Sequence, residues 1–146
     1  MNKNLLRIAF ADDDPDDHLF FFDAIKSTYR LALINNFFTS TEMLDFFSNS
    51  QNIIPHIMFL DKNMAGNENY QCLDQIKKDP VLTAIPVIIY STSANHLEIN
   101  EALVKGATSF ITKPSTLSDT IEILRETINS FVPVKFEERQ LNENVS

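Results

Sequence analysis

The chain has 146 residues, a net charge of -8 and an apolar fraction of 44%, which suit one globular domain. The negative charge argues against direct binding to nucleic acid or to an anionic membrane surface, and it favours a metal cation or a basic protein partner. Cys72 is the only cysteine, which excludes an intrachain disulfide and a thiolate metal cluster.

Short apolar runs alternate with amphipathic stretches along the chain. The runs predict five buried strands, at 5–11, 31–38, 53–60, 86–90 and 107–112. The stretches between them predict helices at 15–29, 40–47, 70–78 and 95–105, and an apolar stripe indicates a last helix at Leu117, Ile121, Leu124, Ile128 and Phe131. None of the apolar runs is long enough to cross a bilayer, and the N-terminus lacks a secretory signal, so we expect a cytoplasmic protein.

Two of the predicted helices carry signals at their starts. Pro15 suits the first turn of a helix, and the carboxylates of Asp16 and Asp17 suit the positive end of the helix dipole. Ser40 or Thr41 is expected to cap the second helix, because a hydroxyl oxygen can accept a hydrogen bond from a free backbone N–H there.

Five strand–helix pairs predict the α/β fold class. Strands that are buried on both faces and joined by helices form a parallel sheet. Right-handed crossovers then place helices on both faces, which gives a doubly wound five-stranded parallel sheet. We expect the domain to span residues 1–132 and the mostly polar residues 133–146 to form a short tail.

Polar side chains follow the predicted strands at their carboxyl ends, where ligands bind in such sheets. They are Asp12 and Asp13 after the first strand, Asp61 after the third, Ser91 after the fourth and Lys113 after the fifth. Carboxylates so close together repel one another, and a hard cation such as Mg²⁺ removes that repulsion. Asp13 and Asp61 are predicted as direct ligands, Asp12 as a ligand through water, and the backbone carbonyl of Asn63 as a further oxygen ligand.

A carboxylate is also a nucleophile towards phosphorus, and phosphoryl transfer needs mainly positioning and charge neutralisation. The metal, Lys113 and the hydroxyl of Ser91 would each take one phosphoryl oxygen, with Asp61 as the acceptor. Taken singly, these residues are typical of solvated turns, caps and loops, so the joint pattern is what favours a phosphoacceptor. His18, His56 and His96 lie in different elements and are interpreted as structural.

Four segments together resemble the receiver domain of two-component response regulators. They are 12–15, 59–64, 86–91 and 112–114, and the resemblance covers about residues 5–131. It implies a flavodoxin-like fold with strand order 2-1-3-4-5. It also implies a stand-alone, single-domain response regulator of a phosphorelay, which accepts a phosphoryl group from a histidine kinase or a histidine phosphotransfer protein.

The resemblance assigns roles to individual residues. Those roles are an acidic metal-binding pair at Asp12 and Asp13, a phosphoacceptor at Asp61, a switch pair at Ser91 and Phe110, a phosphate-binding lysine at Lys113, and a cis peptide bond between Lys113 and Pro114. Beyond slow self-catalysed phosphotransfer and dephosphorylation, we expect no enzyme activity. The expected output is a changed surface of the fourth helix, fifth strand and fifth helix, read by a downstream protein or by a second copy of the chain.

Two other functions stay open from the sequence. The loop at 64–69 departs from the family pattern, with Glu68 near the site and Asn69 in place of a glycine, so a degenerate receiver that binds without phosphate is one alternative. Asn69 tolerates a positive φ better than most residues, so the turn can survive. The spacing of Asp12 and Asp14 is also that of Mg²⁺-dependent phosphohydrolases with an aspartyl nucleophile, although no further acidic pair or cap domain is evident.

Overall fold

The computed structural model describes residues 5–92 and 94–133. Its strands are β1 (Arg7–Ala11), β2 (Leu33–Phe37), β3 (Ile57–Leu60), β4 (Val87–Ser91) and β5 (Ser109–Thr112). Its helices are α1 (Pro15–Thr28), α2 (Ser40–Ser48), α3 (Gln71–Lys78), α4 (His96–Val104) and α5 (Leu117–Phe131). All neighbouring strands are parallel, in the order β2-β1-β3-β4-β5. The predicted doubly wound, flavodoxin-like fold and its strand order are therefore confirmed.

The sheet separates two hydrophobic cores, because successive side chains of a strand point to opposite faces. On one face, Phe10 and Phe59 pack with residues of α1 and α5. On the other face, Met58 and Leu60 pack with residues of α2, α3 and α4. Every residue of β3 and β4 is buried, as expected for central strands covered by helices on both faces. None of the helices among the described residues has the length and apolarity needed to cross a bilayer.

The core beneath α1 is aromatic. The rings of Phe10 and Phe21 stack with their centroids 4.0 Å apart, and Phe59 and Tyr90 meet the Phe21 ring edge-on at 5.2 Å and 6.0 Å. Phe22, the next residue along α1, is 44% exposed. Consecutive side chains of a helix point in different directions, so Phe21 and Phe22 cannot both face the core. The exposure of Phe22 follows from that geometry.

The residue that caps α2 differs from the predicted one. The hydroxyl of Thr39 accepts a hydrogen bond from the backbone N–H of Glu42 at 3.1 Å, and the Glu42 carboxylate accepts one from the N–H of Phe38 at 2.8 Å. Thr39 is therefore the cap, and the prediction of Ser40 or Thr41 is wrong. The reason is the extended backbone of Thr39, which brings its hydroxyl to the N–H of Glu42, while the Glu42 carboxylate binds the residue before the cap.

Parts of some predicted elements differ in the structure. β3 begins at Ile57 rather than at 53, because the preceding segment is held by Arg7 instead of by a strand ladder. The Arg7 guanidinium donates to the carbonyl of Ile54 at 3.1 Å, and the Arg7 N–H donates to His56 Nδ1 at 3.0 Å. Leu117, predicted within the buried stripe of α5, is 40% exposed because it is the first residue of the helix. The tail prediction at 133–146 lies outside the described residues except for Pro133.

Replacing Phe21 with alanine should destabilise the fold by about 3–5 kcal/mol, because it removes a buried ring and leaves a cavity. Phe22→Ala is the matched control: the side chain is the same size and one residue away but partly exposed, so a loss below about 1 kcal/mol is expected. Urea unfolding of both variants measures the two free energies. Equal losses would contradict the assignment of Phe21 to the aromatic core.

Candidate functional site

Three carboxylates meet at the carboxyl edge of the sheet. Asp12 and Asp13 follow β1 directly, and Asp61 follows the neighbouring β3. The backbone N–H of Asp61 donates to the carbonyl of Ala11 at 2.9 Å, which extends the pairing of the two strands past their ends. One carboxylate oxygen of each acid lies within 4.8 Å of the others. Asp12 and Asp61 are buried, whereas Asp13 is exposed.

Burial and crowding make it costly for Asp61 to ionise. Burial raises its pKa to about 6, the charge of Asp12 and that of Asp13 add to the rise, and Lys113 and a hydrogen bond from the Asn63 backbone partly oppose it. Burial also raises the pKa of Asp12, against the effect of its hydrogen bond with Lys113. Positive charge placed between these groups would therefore favour their ionised forms.

The donor set suits a hard divalent cation. All three side chains offer oxygen, the ligand type that Mg²⁺, Mn²⁺ and Ca²⁺ prefer. The carboxylates after β1 and the one after β3 lie close enough together to bind one ion. Asn63 is exposed two residues after Asp61, and its backbone N–H bonds the Asp61 carboxylate. Its carbonyl as a further ligand stays a prediction.

Lys113 is held between two carboxylates. Its ammonium donates to Asp12 Oδ2 at 2.7 Å and to Asp17 Oδ2 at 2.8 Å. Burial lowers the pKa of Lys113, but the hydrogen bonds to Asp12 and Asp17 outweigh that effect and the net pKa is raised. Lys113 therefore stays charged, and it partly neutralises the acidic cluster. The role of Asp17 was missed from the sequence, where its place in the first turn of α1 suggested only an interaction with the helix dipole.

The predicted cis peptide bond between Lys113 and Pro114 is wrong. The peptide bonds of the described residues are trans, which is the favoured isomer even before proline, by about 0.5–1 kcal/mol. With the trans bond in place, the Lys113 N–H donates to the carbonyl of Ser91 at 2.8 Å and its ammonium reaches Asp12 and Asp17. The position of the lysine in the site is thus reached without the cis isomer.

Ser91 is the last residue of β4 and is fully buried. Among the described residues, its hydroxyl is the one buried side-chain polar atom without a hydrogen-bond partner. Such a group normally has a partner, so this unpaired hydroxyl can donate a hydrogen bond to a ligand oxygen. Phe110 lies on β5, which pairs with β4, and its ring packs partly buried against the core on the α2 to α4 face. The switch roles of both residues stay predictions.

Asn67 is a site residue that the sequence did not reveal. It is fully buried in the loop after Asp61. Its side-chain N–H donates to the carbonyl of Asp61 at 3.0 Å, and its side-chain oxygen accepts from the N–H of Cys72 at 3.1 Å. Asn67 therefore joins the backbone of Asp61 to the start of α3. A buried amide within a polar loop has no periodic pattern that could have identified it.

The loop after Asp61 contains two residues in the left-handed region. Asn69 has φ 54°, which confirms the expectation for it, and Tyr70 has φ 59°, which is unusual for a bulky side chain. Two contacts with α4 hold this loop. The Tyr70 hydroxyl donates to the carbonyl of Glu98 at 3.0 Å, and the Lys62 ammonium lies 2.8 Å from the Glu98 carboxylate.

Two other side chains near the site, those of His18 and Cys72, have structural contacts. His18 is buried, and its Nε2 lies 2.7 Å from the carbonyl oxygen of Asp12, which supports the backbone of the acidic cluster. Its interpretation as a structural residue fits that contact. Burial raises the pKa of the Cys72 thiol to about 12, so the thiol stays protonated and packs in the core.

Comparisons with known proteins point in one direction. The family model for the response regulator receiver domain matches residues 8–125. The two-component response regulator ARR15 of Arabidopsis thaliana is 33% identical over 73 residues, which are 50% of this chain and 35% of that protein. The chain thus spans about a third of the length of that relative.

Solved structures share the fold at low sequence identity. The phosphorylated cyanobacterial phytochrome response regulator RcpA superposes with a TM-score of 0.77 at 22% identity, covering 91% of this chain and 98% of that one. The Mn²⁺-bound form of response regulator Rcp1 superposes with a TM-score of 0.76 at 18% identity, covering 90% of this chain and 98% of that one.

Asp61→Asn should stabilise the metal-free protein at neutral pH and lose that advantage in acid. The pKa of Asp61 rises from 3.8 to about 6 on folding, so the folded state holds this proton more tightly than the unfolded chain. Stability therefore falls as the pH rises between those values, by on the order of 3 kcal/mol in total. An asparagine side chain does not ionise, so Asp61→Asn avoids this loss of folding stability.

Urea unfolding in the presence of a chelator, from about pH 4 to about pH 8, measures this difference. Asp45→Asn, which removes an exposed acid on α2, is the charge-matched control. A gain for Asp61→Asn that stays constant across this range would contradict the raised pKa.

Asn67→Leu should cost about 2–4 kcal/mol, because it leaves the carbonyl of Asp61 and the N–H of Cys72 buried without partners. Asn100→Leu makes the same exchange at an exposed position on α4, where a change below about 0.5 kcal/mol is expected. Thermal and urea unfolding report both values. Similar losses in the two variants would refute the proposed support of the Asp61 backbone.

Proposed function

The chain belongs to the response regulator receiver domain family, and on that premise we propose that Asp61 accepts a phosphoryl group in a two-component phosphorelay. The observation that carries the proposal is the convergence of Asp12, Asp13 and Asp61, with one oxygen of each within 4.8 Å of the others. These three residues would hold Mg²⁺, with the backbone carbonyl of Asn63 as a further ligand. The Mn²⁺ reported for Rcp1 supports a divalent cation in this fold.

In the transfer step, an oxygen of the Asp61 carboxylate attacks the phosphorus of a phosphohistidine on the donor protein. The new bond joins that oxygen to phosphorus, the nitrogen–phosphorus bond breaks, and its electron pair returns to the imidazole, which takes up a proton from water. Because the pKa of Asp61 is about 6, its carboxylate is mostly ionised at neutral pH even before the cation adds its effect. A bound Mg²⁺ would supply positive charge to a phosphoryl oxygen and relieve the repulsion among the carboxylates.

Two side chains of this chain would bind the other phosphoryl oxygens. Lys113 carries a firmly held positive charge beside Asp12, and charge-assisted hydrogen bonds of this kind are the strong ones. The hydroxyl of Ser91 is buried and unpartnered among the described residues, so it loses no existing bond by donating to a phosphoryl oxygen. In this proposal, Lys113 and Ser91 bind the phosphoryl oxygens that the cation does not take.

The output of this reaction would be a changed protein-binding surface. Ser91 and Phe110 lie on the neighbouring strands β4 and β5, so movement of the hydroxyl towards a phosphoryl oxygen changes the space beside the ring. On α4, Leu97 is 81% exposed and Val104 is 77% exposed. These side chains support recognition of α4, β5 and α5 by a downstream protein or by a second copy of the chain.

The alternatives have less support. A degenerate receiver needs no metal cluster, whereas the three acids and Lys113 lie together here. In a phosphohydrolase, Asp14 would act in the reaction, but its carboxylate accepts the N–H of Asp16 at 2.9 Å and caps α1. We therefore propose a phosphoacceptor in the cytoplasm, without enzyme activity on other substrates, whose donor is a histidine kinase or a phosphotransfer protein.

Incubation with Mg²⁺ and acetyl phosphate, followed by intact mass, tests this function. The protein should gain one phosphoryl group, and neither Asp61→Asn nor the protein in a chelator should gain it. Labelling of Asp61→Asn to the same extent would refute Asp61 as the acceptor. Consumption of acetyl phosphate over many rapid turnovers would favour the phosphohydrolase instead.

A further inference from the structure

The ammonium of Lys113 has two of its three N–H donors engaged by carboxylates. One partner is Asp12, at 2.7 Å, and the other is Asp17, at 2.8 Å. The two partners differ in their surroundings, because the Asp12 side chain is 1% exposed whereas that of Asp17 is 30% exposed. Asp17 thus holds Lys113 from the solvent side.

The position of Asp17 next to Lys113 has an electrostatic consequence for any phosphoryl group at Asp61. Such a group carries about two negative charges, and the positive charge of Lys113 would stabilise it. Asp12 belongs to the acidic cluster, where a cation would neutralise it. Asp17 lies outside that cluster, so its charge opposes the phosphoryl group and competes with it for the same ammonium.

The surroundings of Lys113 leave room for the ammonium to change partners. Its Nζ lies 5.6 Å from the centre of the Tyr90 ring, an attractive contact for a cation. A cleft of about 240 Å³ adjoins this place, and it is lined by Asp17, Phe20, Tyr90, Thr92, Lys113, Pro114 and Ser115. The bond with Asp17 can therefore break without isolating either charge, because both residues line this cleft and Lys113 keeps its bond with Asp12.

We infer that Asp17 is a positioning residue that holds Lys113 in the unphosphorylated state and competes with the phosphoryl group for it. The carboxylate of Asp17 lowers the affinity of the site for a phosphoryl group, and Lys113 gives up this bond when a phosphoryl oxygen binds. The inference rests on the proposed function of Asp61. Asp17 does not touch the reacting atoms and acts through Lys113.

The chain offers a matched pair of variants. Asp17→Asn removes the charge and weakens the bond with Lys113. Asp16→Asn removes the same charge one residue earlier in the same helical turn, at an exposed position, and the Lys113 ammonium bonds Asp17 rather than this residue. Asp17→Glu keeps a carboxylate and tests rescue. Differences between the first two variants report the contact with Lys113 rather than the net charge.

Binding of beryllofluoride, a non-covalent analogue of the phosphoryl group, is measured by calorimetry at saturating Mg²⁺ for the four proteins. Asp17→Asn should bind about threefold to fivefold more tightly than Asp16→Asn, the upper part of the range for one partly screened ion pair. Asp17→Glu should stay near the wild-type protein. In the ligand-free state, the ¹⁵Nζ resonance of Lys113 should shift in Asp17→Asn and not in Asp16→Asn.

Equal or weaker binding by Asp17→Asn than by Asp16→Asn would overturn the competition, and an unshifted Lys113 resonance would overturn the contact. Thermal unfolding verifies that each variant is folded before the titration. Failure of the proposed function is distinguishable, because the wild-type protein would then neither bind beryllofluoride nor gain a phosphoryl group from acetyl phosphate. Wild-type binding without an advantage for Asp17→Asn would refute this inference alone.

Discussion

Repulsion among the carboxylates of Asp12, Asp13 and Asp61 is the constraint to which the rest of the site is fitted. Burial of Asp12 and Asp61 makes their ionisation costly, and it raises the pKa of Asp61 to about 6. Lys113 relieves part of this repulsion through its bond with Asp12. The divalent cation that we propose would relieve the rest, so in the proposed function metal binding and phosphoryl acceptance depend on the same charges.

The fold keeps these charges together against their repulsion. β1 and β3 are neighbouring central strands with hydrophobic cores on both faces, and separating their ends would disturb both cores. The loop after Asp61 is held by the amide of Asn67 and by the contacts of Tyr70 and Lys62 with Glu98 on α4. These contacts offset the strain of a bulky residue at positive φ, of about 1–3 kcal/mol.

Strands and their order were largely predictable, because buried parallel strands appear as apolar runs and helices as periodic stretches. Strand boundaries were less predictable where hydrogen bonds involving a side chain take the place of strand pairing, as those of Arg7 do before β3. The cap of α2 was misplaced by one or two residues, since Thr39, Ser40 and Thr41 all carry a hydroxyl and only the backbone conformation selects Thr39. The isomer before Pro114 depends on the packing of its loop, which no local pattern records.

The sequence by itself determined which acids, hydroxyl and ammonium share one edge of the sheet, because parallel strands place all their carboxyl ends together. Tertiary structure decided which of them touch. The bond between Asp17 and Lys113 joins residues 96 positions apart, and that between Asp12 and Lys113 joins residues 101 apart. The lack of a partner for the Ser91 hydroxyl among the described residues, and the support from Asn67, likewise depend on distances across the folded chain. Strand periodicity orders side chains along one element, whereas partners between elements depend on how those elements pack.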